Sequence, residues 1–132
     1  MQHGHDQKRQ RAPGADDHRH LDGFLAVNPD AFASDFAADA PKPVARFMAI
    51  SQVPVSVEAF DAKATVAAWK QKPSYAVIPK QDRMINPDLE RFMAKRAQSQ
   101  VIELPGSHAI FLSHAHAHEV AALIEKAATA AK

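Results

Sequence analysis

After Pro73 the sequence runs strand, helix, strand, helix, and that order restricts the fold more than any other feature of the 132 residues. Tyr75-Ala76-Val77-Ile78 is a short apolar run between Pro73 and Pro79, as expected of a strand buried on both faces. Asn86-Pro87-Asp88 then starts a helix: asparagine as N-cap, proline at the first helical position, and an acid favoured by the helix dipole. Leu89, Phe92, Met93 and Ala97 form its apolar stripe. Val101-Ile102-Glu103-Leu104 is the second strand, closed by Pro105-Gly106, and a last helix is expected from near Ser113, with Val120, Leu123, Ile124 and Ala127 on one side. A right-handed crossover makes the two strands parallel neighbours. Two parallel strands cannot stand alone in water. The region 71–132 is therefore expected to be the last part of a larger α/β fold, with further strands from elsewhere or the chain itself a fragment.

The stretch 22–70 has a different grammar. Asn28-Pro29-Asp30 is a second helix start, followed by Phe32 and Phe36 four residues apart and stopped by Pro41. Another helix is expected from Pro43 to about Ser51, with Val44, Phe47 and Met48 as its stripe. Short helical turns are expected at 56–60 and 65–70, the second around Trp69. No strand is expected here, and the segment reads as a helical lid. Residues 1–21 contain almost no apolar side chains and read as a solvated, atypical tail. That segment lacks the apolar centre of a secretory signal, and its aspartates argue against a transit peptide.

Composition removes several classes of function. Sixteen basic and fifteen acidic residues give a net charge of +1, and the basic residues are scattered, so no nucleic-acid footprint exists. No run approaches the ~18 apolar residues of a membrane span. Without cysteine there is no thiol nucleophile or thiolate zinc site. The chain reads as soluble, with the cytoplasm favoured and the compartment otherwise open.

The chemistry gathers in the loops that follow the two strands. Asp82 lies in the first and His108, after Gly106-Ser107, in the second. In a parallel sheet such loops leave on one edge, where open α/β folds bind ligands. A carboxylate beside an imidazole fixes its tautomer and stabilises the imidazolium formed during proton transfer. The alternative is equally plain: Asp82 as a turn residue and His108 as a satisfied loop histidine.

Asp82-Arg83-Met84-Ile85-Asn86-Pro87 and Gly106-Ser107-His108 resemble the acid-bearing and histidine-bearing loops of the α/β-hydrolase superfamily, in its order of acid before histidine. The resemblance covers roughly residues 22–130, with 22–70 similar to the helical cap of small esterase-like members. It implies a serine hydrolase of small esters or related acyl compounds, with Asp82 as catalytic acid and His108 as general base. It implies no cofactor and no metal, and a small ester or acyl compound as partner. The cap would line the acyl pocket through Phe32, Phe36, Phe47, Met48 and Trp69, each of which could equally be ordinary cap packing. The superfamily's nucleophile motif, G-x-S-x-G, does not occur in the chain. In that superfamily the missing portion precedes the cap, and a truncated or wrongly framed start would account for the tail and for an inactive chain.

Two other readings compete. One is a non-catalytic binding or interaction remnant of the fold, whose uncovered strand edges leave self-association open. The other is metal binding through His114 and His118, four apart on a helical face. Ala115 stands where a metalloprotease motif has glutamate, and a third ligand is not evident. A solvated first helical turn is the plainer account of these histidines.

Overall fold

The computed structural model describes residues 18–130, which form two layers of elements along the chain. The first begins with a hairpin of β1 (His18–Leu21) and β2 (Phe24–Val27), joined by Asp22-Gly23. Both turn residues have positive φ, 42° and 89°, which a two-residue connection of this hand requires and which Asp-Gly adopts readily. β3 (Val55–Ser56) pairs antiparallel on the other side of β2. Three strands thus stand in a stretch of chain expected to hold a polar tail and helices only. The four residues of β1 belong to the segment expected to be solvated tail, and residues 1–17 lie outside the described part.

α1 (Pro29–Asp35) and α2 (Lys42–Ile50) pack against each other. Asn28 caps α1, its side-chain oxygen accepting from Asp30 N–H at 3.1 Å, as the Asn-Pro-Asp start requires. On α2 the residues turned inward are Ala45 and Ala49, four apart, whose size lets the helices approach closely. Phe32 (4% exposed), Ala37, Ala45, Ala49 and, from far along the chain, Ala109 form one buried cluster. Gln52 joins α2 to the sheet: its side-chain oxygen accepts from Val27 N–H and its amide donates to Val27 O, both at 2.9 Å. One side chain here does the work of a ladder strand. α3 (Val57–Asp61) follows, capped by Ser56. Around Trp69 the expected helix is a single 3₁₀ turn, Ala68–Lys70, cut short before Pro73.

The second layer is the expected strand–helix–strand–helix. β4 (Tyr75–Pro79) and β5 (Gln100–Leu104) pair in parallel, from Tyr75 opposite Gln100 to Pro79 opposite Leu104. Between them runs α4 (Pro87–Arg96), capped by Asn86. Arg91 on α4 reaches Glu103 on β5 with two parallel bonds of 2.9 and 2.7 Å. The last helix, α5 (Ala117–Ala130), starts four residues later than expected. Ser113 accepts from both His116 and Ala117 N–H, so its carbonyl closes a separate turn before the helix proper.

The α/β class is as expected, and so is the parallel pair. β4 and β5 form a two-stranded sheet with both outer edges unpaired among the described residues. Phe92, Met93, Val101 and Ile124 are exposed around it. None of the described helices is long and apolar enough to cross a membrane.

Candidate active site

The loops after β4 and β5 leave the same edge and are stitched together by backbone. Lys80 N–H donates to Leu104 O and Gln81 N–H to Gly106 O, both at 2.9 Å. That stitching brings Asp82 to His108 across 26 residues of sequence. His108 Nδ1 lies 2.7 Å from Asp82 Oδ2, while Asp82 Oδ1 accepts from the N–H groups of Met84 at 2.7 Å and Ile85 at 2.9 Å. The aspartate side chain is fully enclosed and the histidine is 29% exposed.

Burial alone would raise the Asp82 carboxyl. The hydrogen bonds from His108, Ile85 and Met84 and the charge of the imidazole outweigh it, holding the group below the usual carboxylate range. An ionised carboxylate can only accept, so Nδ1 carries the proton and neutral His108 keeps its Nε2 lone pair free. The hydrogen bond to Asp82 raises His108 above its ordinary value, against an opposing desolvation, with the charges of Asp82 and Glu90 adding to the rise. Glu90, from α4, is pushed up to about 7 by desolvation and by the Asp82 charge, and its Oε2 is buried without a hydrogen-bond partner among the described residues.

A pH dependence of stability follows. The raised histidine stabilises the fold fully below 6.5, and that contribution is lost as pH rises through its folded value. The lowered aspartate contributes fully above 3.8 and loses its contribution as pH falls through its folded value. Glu90 adds a penalty as pH climbs from 4.5 to about 7. The urea midpoint is expected to fall as pH rises from about 5 to about 8, and Glu90→Gln should flatten the early part of that fall. A midpoint that rises across this range would contradict the arrangement of these three groups.

The histidine faces a cavity of about 620 Å³, within the range of small-molecule sites. Of the five side chains named for an acyl pocket, Phe32, Phe36 and Met48 are among its lining residues. The Phe36 ring lies 4.8 Å from the His108 ring and 4.8 Å from Phe32, so an aromatic wall runs from the histidine into the first layer. Phe47 and Trp69 are not among its lining residues. Phe47 is on the outer face of α2 and 67% exposed, because the inward positions went to Ala45 and Ala49. Trp69 sits under the cations of Arg96 and Lys70, 5.4 and 5.7 Å from its ring. In their place stand residues that went unnoticed in the sequence: Leu25 and Val27 of β2, Val55 of β3 and Phe60 of α3. Asp22-Gly23 was the local signal for the hairpin that carries the first two.

His116 Nδ1 is 2.9 Å from Glu119 Oε2, and His118 is largely exposed. Among the described residues no group of three or more His, Asp or Glu side chains is placed to hold a metal ion. Ser107, beside His108, has its hydroxyl buried without a hydrogen-bond partner among the described residues.

Two loops thus meet at the C-terminal edge of the parallel pair of an α/β fold, with an enclosed carboxylate bonded to a half-buried imidazole. The sequence profile of the alpha/beta hydrolase family matches residues 4–123, and the chain belongs to that family. The match begins at residue 4, well before the point near residue 22 where the resemblance was legible. A search of curated proteins found no match.

Proposed function

We propose that the chain supplies the acid–histidine part of a serine hydrolase acting on small esters or related acyl compounds, with 22–70 as its cap. The observation that carries this reading is the 2.7 Å bond between enclosed Asp82 and His108, whose ring lines an apolar cavity. His108 Nε2 would take the proton of a serine hydroxyl as that oxygen attacks the acyl carbon. It would then return the proton to the departing alcohol, while Asp82 stabilises the intervening imidazolium. The acyl group would lie along Phe32, Phe36 and Met48. The serine would come from a segment outside these 132 residues, since no G-x-S-x-G occurs in them. Exposed Phe92, Met93 and Val101 and the open edges of the β4–β5 pair are surfaces such a segment could cover.

The purified chain is expected to show no burst with p-nitrophenyl acetate and no labelling by a fluorophosphonate. Joined to a segment bearing G-x-S-x-G, it should show both. Stoichiometric labelling of the chain alone would mean that a serine has been overlooked. A joined, folded protein that remained unlabelled would favour the second reading, a non-catalytic remnant that associates through its exposed apolar faces.

A further inference from the structure

The five residues from Asp35 to Asp39, at the end of α1, touch both loops of the acid–histidine pair. Asp35 Oδ1 lies 3.3 Å from Nε of Arg83, the residue after Asp82. Phe36 O accepts from Ala109 N–H at 2.9 Å, and the Phe36 ring rests against the His108 ring. The carboxylate of Asp39 accepts the main-chain N–H of Ser107 through Oδ2. Both neighbours of His108 in the chain therefore give their backbone hydrogens to one short segment some seventy residues earlier.

We propose that Asp39 is a positioning residue for His108: by accepting the Ser107 N–H it fixes the turn that aims the imidazole at Asp82. The proposal rests on the reading of Asp82 and His108 as a working pair. Gly106 shows how closely the parts are fitted. A Cβ there would collide with the buried side chain of Ile110 and press within 3.0 Å of Asp39 Oδ2, so glycine is what admits Ile110 and leaves the carboxylate its place. The Gly106 carbonyl is itself held by Gln81 N–H, one residue before Asp82. Asp39 thus clamps one end of a backbone bridge whose other end is the acid's own loop. Ser107 N–H is buried, and Asp39 is the partner that lets it stay where the histidine needs it.

The test is nitrogen-15 NMR on the full chain, read through His108 alone. The charged groups around the ring are Asp82 and Glu90, with Arg83 on the loop of Asp82 and Asp35 and Asp39 reaching the two loops from the end of α1. Wild type should show a far-downfield Nδ1 proton and a His108 titration midpoint above 6.5. Asp39→Ala should lose the downfield proton and move the midpoint down toward the ordinary value. Asp39→Asn keeps an oxygen acceptor for Ser107 N–H and should retain both signals. A merely structural role would lower the melting temperature of Asp39→Ala and leave both signals in place, and that result overturns the proposal. Loss of both signals in folded Asp39→Asn overturns it too, and this variant decides the matter if Asp39→Ala does not fold. Absence of both signals from wild type itself would overturn the Asp82–His108 pair, and the role of Asp39 with it.

Discussion

Under the proposed hydrolase function, Asp82→Asn in the protein joined to a segment bearing G-x-S-x-G is expected to lower kcat about 10⁴-fold, and His108→Ala at least as far. The asparagine is nearly the same shape and can still accept from Met84 and Ile85 N–H through its oxygen. What it then presents to His108 Nδ1 is an amide donor. The imidazole must answer with its lone pair, the proton moves to Nε2, and the base faces the serine with no electron pair to offer. The imidazolium also loses the buried negative charge beside it. These losses fall on the transition state, so KM should change little while kcat collapses. The check is steady-state and burst kinetics on wild type and both variants at one pH. A decrease of less than tenfold for Asp82→Asn would show that Asp82 does not orient the catalytic histidine.

Much of the second layer could be read from sequence because its signals are local. Asn86-Pro87-Asp88 carries its own cap, Tyr75–Ile78 is an apolar run between Pro73 and Pro79, and Val101–Leu104 is closed by Pro105-Gly106. Once the two strands are parallel, topology alone brings the loops of Asp82 and His108 to one edge. The first layer resisted for physical reasons that differ from place to place. β1 is written His-Arg-His-Leu, a composition that looks solvated, and only the Asp-Gly turn announces its partner. β3 is two residues long and exists because β2 is already there to pair with it. On α2 the stripe of Val44, Phe47 and Met48 competes with Ala45 and Ala49. Close helix approach favoured the small residues, so Met48 reaches the cavity and Phe47 does not. Asp39 has no local signature, since its partner is a backbone N–H on a loop 68 residues away.

Phe32→Ala is expected to cost about 3–5 kcal/mol, the usual range for emptying a buried phenylalanine site. Against a total stability of roughly 5–15 kcal/mol for a domain this is a large share. Phe32 is the one large side chain among the buried members of its cluster, the others being alanines, and Val27, Phe36, Met48 and Leu112 pack around them. Phe36 would lose its stacking partner, and through Phe36 the disturbance reaches both the His108 ring and Ala109 N–H. Urea unfolding should give the size of the loss. Hydrogen exchange should locate it, in faster exchange at Ala45–Ala49 and Ala109 and smaller changes along β4 and β5. Phe47→Ala, on the outer face of the neighbouring helix, is the control and should stay within about 0.5 kcal/mol. Equal losses for the two phenylalanines would mean that α2 buries its other face, and the aromatic wall beside His108 would have to be redrawn with Phe47 in it.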